Sequence, residues 1–217
     1  MEQYILAIKM GVAHFPVIAT FLIIPILLFQ VISTKKLNLV RVGMCFLFLF
    51  YMMCTYALII FPLPDAATAE TLSSHNIQLI PFHFIADIVR ETPFEISNIH
   101  TYLPALFHRT ILQVVLNVVM VIPFGMFLAY YFNFNTRKVA LSSFLLSCFF
   151  ELSQLTGLFF MFSGSYRLCD VDDLMANTLG GIIGCLLVQL CSKWLPNLRR
   201  FDIDILKPLR SLKHRPV

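Results

Sequence analysis

Residues 139–161 read VALSSFLLSCFFELSQLTGLFFM, an apolar run carrying one carboxylate, Glu151, near its middle. About 20 apolar residues are enough to cross a bilayer as a helix, so this run predicts a transmembrane span. A charge at the centre of such a span costs roughly 2.5–3.5 kcal/mol on insertion scales, and Glu151 is therefore expected to face protein or water rather than lipid. Ser147, Glu151 and Gln154 follow i, i+4, i+7 spacing and share one face of the helix.

Three further runs of spanning length occur at 42–61, 110–131 and 174–195. A fifth, near 12–32, holds Pro16 and Pro25, which helices in a membrane tolerate better than helices in water. It lacks a basic leader and a small-residue cleavage site, so it reads as a retained helix rather than a signal peptide. The whole chain agrees: 217 residues are 59% hydrophobic and 13% charged, with mean hydropathy +0.81. Soluble domains carry about a quarter charged residues, so a soluble enzyme, a disordered chain and a fibrous repeat are excluded.

The cations give direction. Lys35, Lys36 and Arg41 fill the first short loop, Arg137 and Lys138 the third, and seven more Lys or Arg follow from Lys193 onward, placing 12 of the 16 on one side. Under the positive-inside rule the N-terminus is outside and the C-terminus cytoplasmic. The basic excess is thus a topology feature, and no nucleic-acid partner is expected. The tail reads either as a polybasic segment held to anionic lipid or as a plain stop-transfer tail. The expected fold is an all-α polytopic membrane protein of about five transmembrane helices. Its segments are an N-terminal helix and basic loop (1–41), a four-helix membrane domain (42–195) and a basic cytoplasmic tail (196–217).

The long external connection, Pro62 to His108, contains an apolar stretch at 77–89 that predicts an interfacial or re-entrant element. Five of the six cysteines lie in apolar runs, where Cys is a small buried hydrophobe. Cys169 sits in a polar loop with no evident partner. No C-x-x-C spacing suggests zinc, and His75, His83, His100 and His108 with Asp87 match no ligand signature. No metal and no cofactor are expected.

A second polar stripe opens the last span. Arg167, Asp170, Asp173, Asn177, Gly180 and Gly184 are spaced so that the last five share an arc of roughly 80°. Asp170 is placed as an N-cap with Asp173 one turn in, and the glycines permit close helix approach. In the third span Gln113 and Asn117 are one turn apart, and Pro123 with Gly125 predicts a kink. At 1.5 Å per residue, Asn117 lies about 10 Å, Glu151 about 15 Å, Gln154 about 10 Å and Asn177 about 6 Å from the outer boundary. All fall in the outer half-bilayer, which implies one polar cavity there.

These patterns together resemble the VanZ-like family. The resemblance rests on Ile77-Gln78-Leu79-Ile80-Pro81-Phe82, similar to an N-L-I-P-F segment, on Asn117 through Pro123-Phe124-Gly125, on Glu151 with Gln154, and on Arg167 through Asp170, Asp173, Asn177 and Gly180. It covers roughly residues 45–195. Gln78 and the long basic tail are departures. The resemblance implies a multi-pass protein of the bacterial inner membrane linked to glycopeptide, particularly teicoplanin, resistance.

Two functions then compete. In one, Asn117, Glu151, Gln154, Arg167, Asp170, Asp173 and Asn177 bind an envelope lipid, a lipid-linked precursor or a lipid-anchored lipoglycopeptide, with Arg167 taking an anionic group. In the other, an intramembrane enzyme uses Glu151 as general base with Asp170 or Asp173 as partner, though no nucleophile is apparent and the balance leans away from catalysis. A proton-coupled transporter is disfavoured by five spans without internal repeat. A packing role, with Glu151 paired to Arg109 or Arg167, stands beside the functional ones. Oligomeric state is not legible.

Overall fold

The computed structural model describes residues 2–60, 63–64, 76–95, 97–165 and 167–204. Residues 65–75, which include His75, and the distal tail 205–217 lie outside them. Among the described residues, five helices are long and apolar enough to cross a membrane: Val12–Ile32, Leu39–Ile60, Arg109–Tyr131, Thr136–Leu155 and Val171–Lys193. The protein is an all-α, multi-pass membrane protein. Its chain divides into two compact units, Met1–Pro62 with Trp194–Val217, and Leu63–Lys193.

In the first unit, α1 (Glu2–Thr34) packs on α2 (Leu39–Ile60), with Phe15 and Phe50 edge-to-face at 5.0 Å. Lys35 turns the chain in the left-handed region (φ 57°). A two-residue strand, β1 (Lys36–Leu37), then pairs antiparallel with β4 (Ile203–Asp204) from the far end of the chain. Residues 198–204 of the tail thus pack against the α1–α2 turn within this unit.

The second unit is built on α5 (Arg109–Tyr131), α6 (Thr136–Leu155) and α7 (Val171–Leu190). Helix α7 is the hub, packed against both others. Its small residues explain why. A methyl at Gly180 or Gly184 would collide with the α5 carbonyls of Val118 or Ile122, and one at Gly181 with the α6 side chain Ser143. Gly125 of α5 meets the Gly181 backbone in the same way. Glycine here substitutes backbone contact for side-chain contact, the means by which helices associate in lipid. Leu128, Ala129, Val139 and Cys185 close the core below.

The run that decides the fold is not one helix to residue 161. Helix α6 stops at Leu155. Gly157, Leu158, Phe159 and Phe160 all take positive φ (59°, 56°, 55° and 70°), a left-handed turn that non-glycine residues enter at a cost of roughly 1–2 kcal/mol each. Apolarity cannot register such a reversal. It moves the end of α6 to one turn beyond Glu151, about 6 Å at 1.5 Å per residue rather than about 15 Å.

The apolar stretch after residue 76 forms strand β2 (Ile77–Gln78) and the nine-residue helix α3 (His83–Glu91). A one-turn helix, α4 (Tyr102–Leu106), follows. Strand β2 pairs parallel with β3 (Cys169–Asp170), in register Ile77 to Cys169 and Gln78 to Asp170. Leu79, Ile80, Phe82, Ile85 and Val89 remain exposed, as an element lying in an interface requires.

Candidate functional site

The end of α6 meets β3 and the start of α7 at one end of the second unit, where α5 also reaches α7. Helix α6 contributes Glu151 and Gln154 from its last turns, both buried. Helix α7 contributes Asp173 and Asn177 from its first turns, and α5 contributes Asn117. Asp170 is the N-cap of α7, its Oδ1 accepting from the Asp172 N–H at 2.9 Å. Arg167 lies in the loop before β3, half-buried.

Hydrogen bonds join these groups in two clusters, one around Asp173 and one around Glu151 and Asp170. The Asn117 Nδ2 donates to Asp173 Oδ1. The Asn177 Nδ2 donates to Ser147 Oγ at 2.8 Å, and that hydroxyl faces the Asp173 carbonyl at 3.4 Å. The Asp170 backbone N–H donates to Glu151 Oε2 at 3.0 Å, and the Cys169 thiol donates to the same carboxylate. Arg167 lies close enough for its charge to act on Asp173. Buried carboxylates demand such partners, because an uncompensated charge in a low-dielectric interior is costly.

The sequence placed Arg109 among candidate partners for Glu151. Its guanidinium instead faces Glu91 at 3.8 Å. Glu151 is held by a backbone N–H and a thiol, and Cys169, which had no evident partner in sequence, has one. Gln113 is exposed, so it does not share the environment of Asn117.

Asp172 was missed. It is buried, and its two oxygens accept the N–H groups of Phe82 (2.6 Å) and Phe84 (2.9 Å). Those donors open α3, whose cap residue Phe82 has no side-chain acceptor and sits at φ 63°. The first N–H groups of a helix have no partner within it; here a carboxylate from α7 supplies one, reinforced by the helix dipole. Three carboxylates within four residues, Asp170-Val171-Asp172-Asp173, mark the place in sequence.

His83 and Asp87 add a pair on α3, Nδ1 to Oδ2 at 2.9 Å, and the His83 charge reaches Asp170. Outside the spans, burial raises the Asp170 carboxyl above its usual range, opposed by the Asp172 N–H. Burial, then the Glu151 charge and hydrogen bond, push the Cys169 thiol up to about 11, which keeps it protonated and a donor rather than a nucleophile. Among the described residues no three His, Cys, Asp or Glu side chains converge as metal ligands.

A family model described as VanZ/LLP1 matches residues 48–192, well over half of the chain. The match takes in the later part of α2 and nearly the whole second unit, with every residue of the polar network. No curated protein and no solved structure matches.

Proposed function

The chain belongs to the VanZ/LLP1 family, and on that footing we propose that it binds an envelope amphiphile through the polar network at the meeting of α5, α6 and α7. The amphiphile is an envelope lipid, a lipid-linked envelope precursor or a lipid-anchored lipoglycopeptide, and the biological consequence is a contribution to glycopeptide resistance of the teicoplanin type. The location is the bacterial inner membrane, N-terminus outside, with the network in the outer leaflet. That orientation follows from the distribution of Lys and Arg.

One observation carries the reading. Asn117, Glu151, Arg167, Asp170, Asp173 and Asn177, from three helices and a loop, are gathered at one end of the second unit. Polar groups are expensive in a membrane and are kept where they serve a pathway or a ligand. Arg167 offers a planar donor fork for a phosphate or carboxylate; Asn117, Gln154 and Asn177 offer amides. Binding is favoured over catalysis because the carboxylates already hold partners: Glu151 the Asp170 N–H and Cys169, Asp172 the start of α3, Asp173 the Asn117 amide.

The test is native mass spectrometry of the purified protein with a lipid-linked peptidoglycan precursor and with teicoplanin. The wild type is expected to retain one of them, and Arg167→Gln to release it at unchanged yield of folded protein. Retention of neither, or equal retention by the variant, overturns the proposal. A Glu151-dependent change in the mass of the precursor replaces it with the enzymatic alternative.

A further inference from the structure

Beyond the polar network, the first unit carries a second built feature. Its centre is Asn38, 1% exposed. The Asn38 Nδ2 donates to the Leu198 carbonyl and to Asp202 Oδ1, both at 2.7 Å. Its Oδ1 accepts the Arg41 N–H at 3.0 Å, and its own carbonyl accepts from the Gln30 side chain at 3.1 Å. One residue thus clasps the end of α1 through its carbonyl, and through its side chain the start of α2 and a 3-10 turn (Leu198–Phe201) from about 160 residues away. The β1–β4 pairing repeats the fastening next to it, Leu37 with Ile203 and Lys36 with Asp204.

The clasp has an electrostatic consequence. It brings Arg199 and Arg200, both exposed, to the end of the α1–α2 hairpin that already carries Lys35, Lys36 and Arg41. Five cations stand against Asp202 and Asp204, and Asp202 is itself taken by Asn38 and by Lys36 at 3.7 Å. The candidate spans of this unit end at Ile32 and begin at Leu39, so the cations lie at the membrane–water boundary. Beside them Leu39 and Phe201 are exposed, and Trp194 is 82% exposed. A partner for this surface must offer anionic groups and apolar surface together. Tryptophan at such a level is the usual interfacial anchor.

We infer that the clasped tail and first loop form a fixed platform for anionic phospholipid of the adjoining leaflet. A preorganised set of cations binds more tightly than the same charges on a loose tail, because ordering is not repeated at each encounter. A soluble polyanion would meet the charges but leave Leu39, Trp194 and Phe201 uncovered, which favours lipid as the source of the phosphate.

The experiment uses the full-length protein in nanodiscs of phosphatidylcholine with or without phosphatidylglycerol, read by thermal unfolding and by phosphatidylglycerol retained in native mass spectra. The wild type is expected to unfold at higher temperature with phosphatidylglycerol and to carry it into the gas phase. Each arginine removed, in Arg199→Gln and Arg200→Gln, is expected to lower the apparent affinity about fivefold. Arg137→Gln with Lys138→Gln, in another basic loop, should leave it unchanged. Asn38→Ala keeps every charge but opens the clasp, and should also lose retention, with faster amide exchange at 198–204. Equal stability in both lipids overturns the inference. So does an equal loss from the 137–138 variant, full retention by Asn38→Ala with its clasp open, or an equivalent shift produced by inorganic phosphate alone.

Discussion

Glu151 accepts the Asp170 backbone N–H at 3.0 Å, across the junction between the end of α6 and the start of α7. A carboxylate inside an apolar helix is usually assumed to need an arginine. This one holds a strand edge instead, fixing β3 to the last turns of α6, and through the β2–β3 pairing it also orders the segment that leads into α3. The link makes Glu151 both part of the polar network and a fastening for what lies next to it.

Glu151→Ala leaves a partly buried N–H without its acceptor, a loss of about 1–3 kcal/mol. Thermal unfolding in detergent is expected to fall accordingly, while Glu151→Gln, which keeps an acceptor oxygen, retains most of the stability. An alanine variant as stable as wild type would remove the fastening role.

The Cys169 thiol, raised from the ordinary 9.0 to about 11, should react slowly with iodoacetamide at pH 8. In a variant keeping only this cysteine, alkylation is expected to rise steeply toward pH 11. Because the folded protein holds this proton longer than the unfolded chain, the thiol's contribution to stability is full below 9.0 and lost as pH climbs through about 11. Glu151→Gln removes one of the causes and should move the alkylation midpoint down. A midpoint near 9 in wild type would separate Cys169 from Glu151.

Asp172→Ala removes both acceptors at the start of α3. Hydrogen exchange at Phe82 and Phe84 is expected to accelerate by at least an order of magnitude, since hydrogen bonds to charged groups contribute about 1.5–3 kcal/mol each. Asp172→Asn can accept only one of the two donors and should give an intermediate rate. Unchanged exchange in Asp172→Ala would show that the β2–β3 pairing alone secures α3.

Gly184→Ala places a methyl against the Ile122 carbonyl, and Gly180→Ala places one against Val118. Backbone cannot give way as a side chain can, so each should cost about 1–3 kcal/mol by overpacking. Gly43 of α2 has open space where a Cβ would stand, and Gly43→Ala should be neutral or mildly stabilising. Similar melting temperatures for all three variants would contradict the backbone contact between α5 and α7.

Asn117→Ala and Asp173→Asn interrupt one hydrogen bond from its two sides. Their combined effect on unfolding free energy should fall short of the sum by about 0.5–3 kcal/mol. Strict additivity would mean that the two side chains do not share a network in the membrane.

What the sequence determined by itself rests on period and composition. Five spans, the N-cap at Asp170 and the close-packing glycines were legible, because apolar length, cap chemistry and small-residue spacing act locally along the chain. Asn117, Glu151, Asp173 and Asn177 could be singled out because a polar group in an apolar run stands out on its own. Their partners could not be named. Glu151 selects a backbone N–H, and Asp172 reaches Phe82 and Phe84 some 90 residues away, through contacts that leave no periodic trace. The left-handed turn after Leu155 was hidden for the same reason: Leu158, Phe159 and Phe160 are as apolar as any span, and only packing decided their backbone. Asn38 reads as an ordinary loop residue until the fold brings Leu198 and Asp202 to it. Hydrophobicity fixes which segments leave water, whereas hydrogen-bond partners are fixed by geometry, and that geometry exists only once the helices have packed.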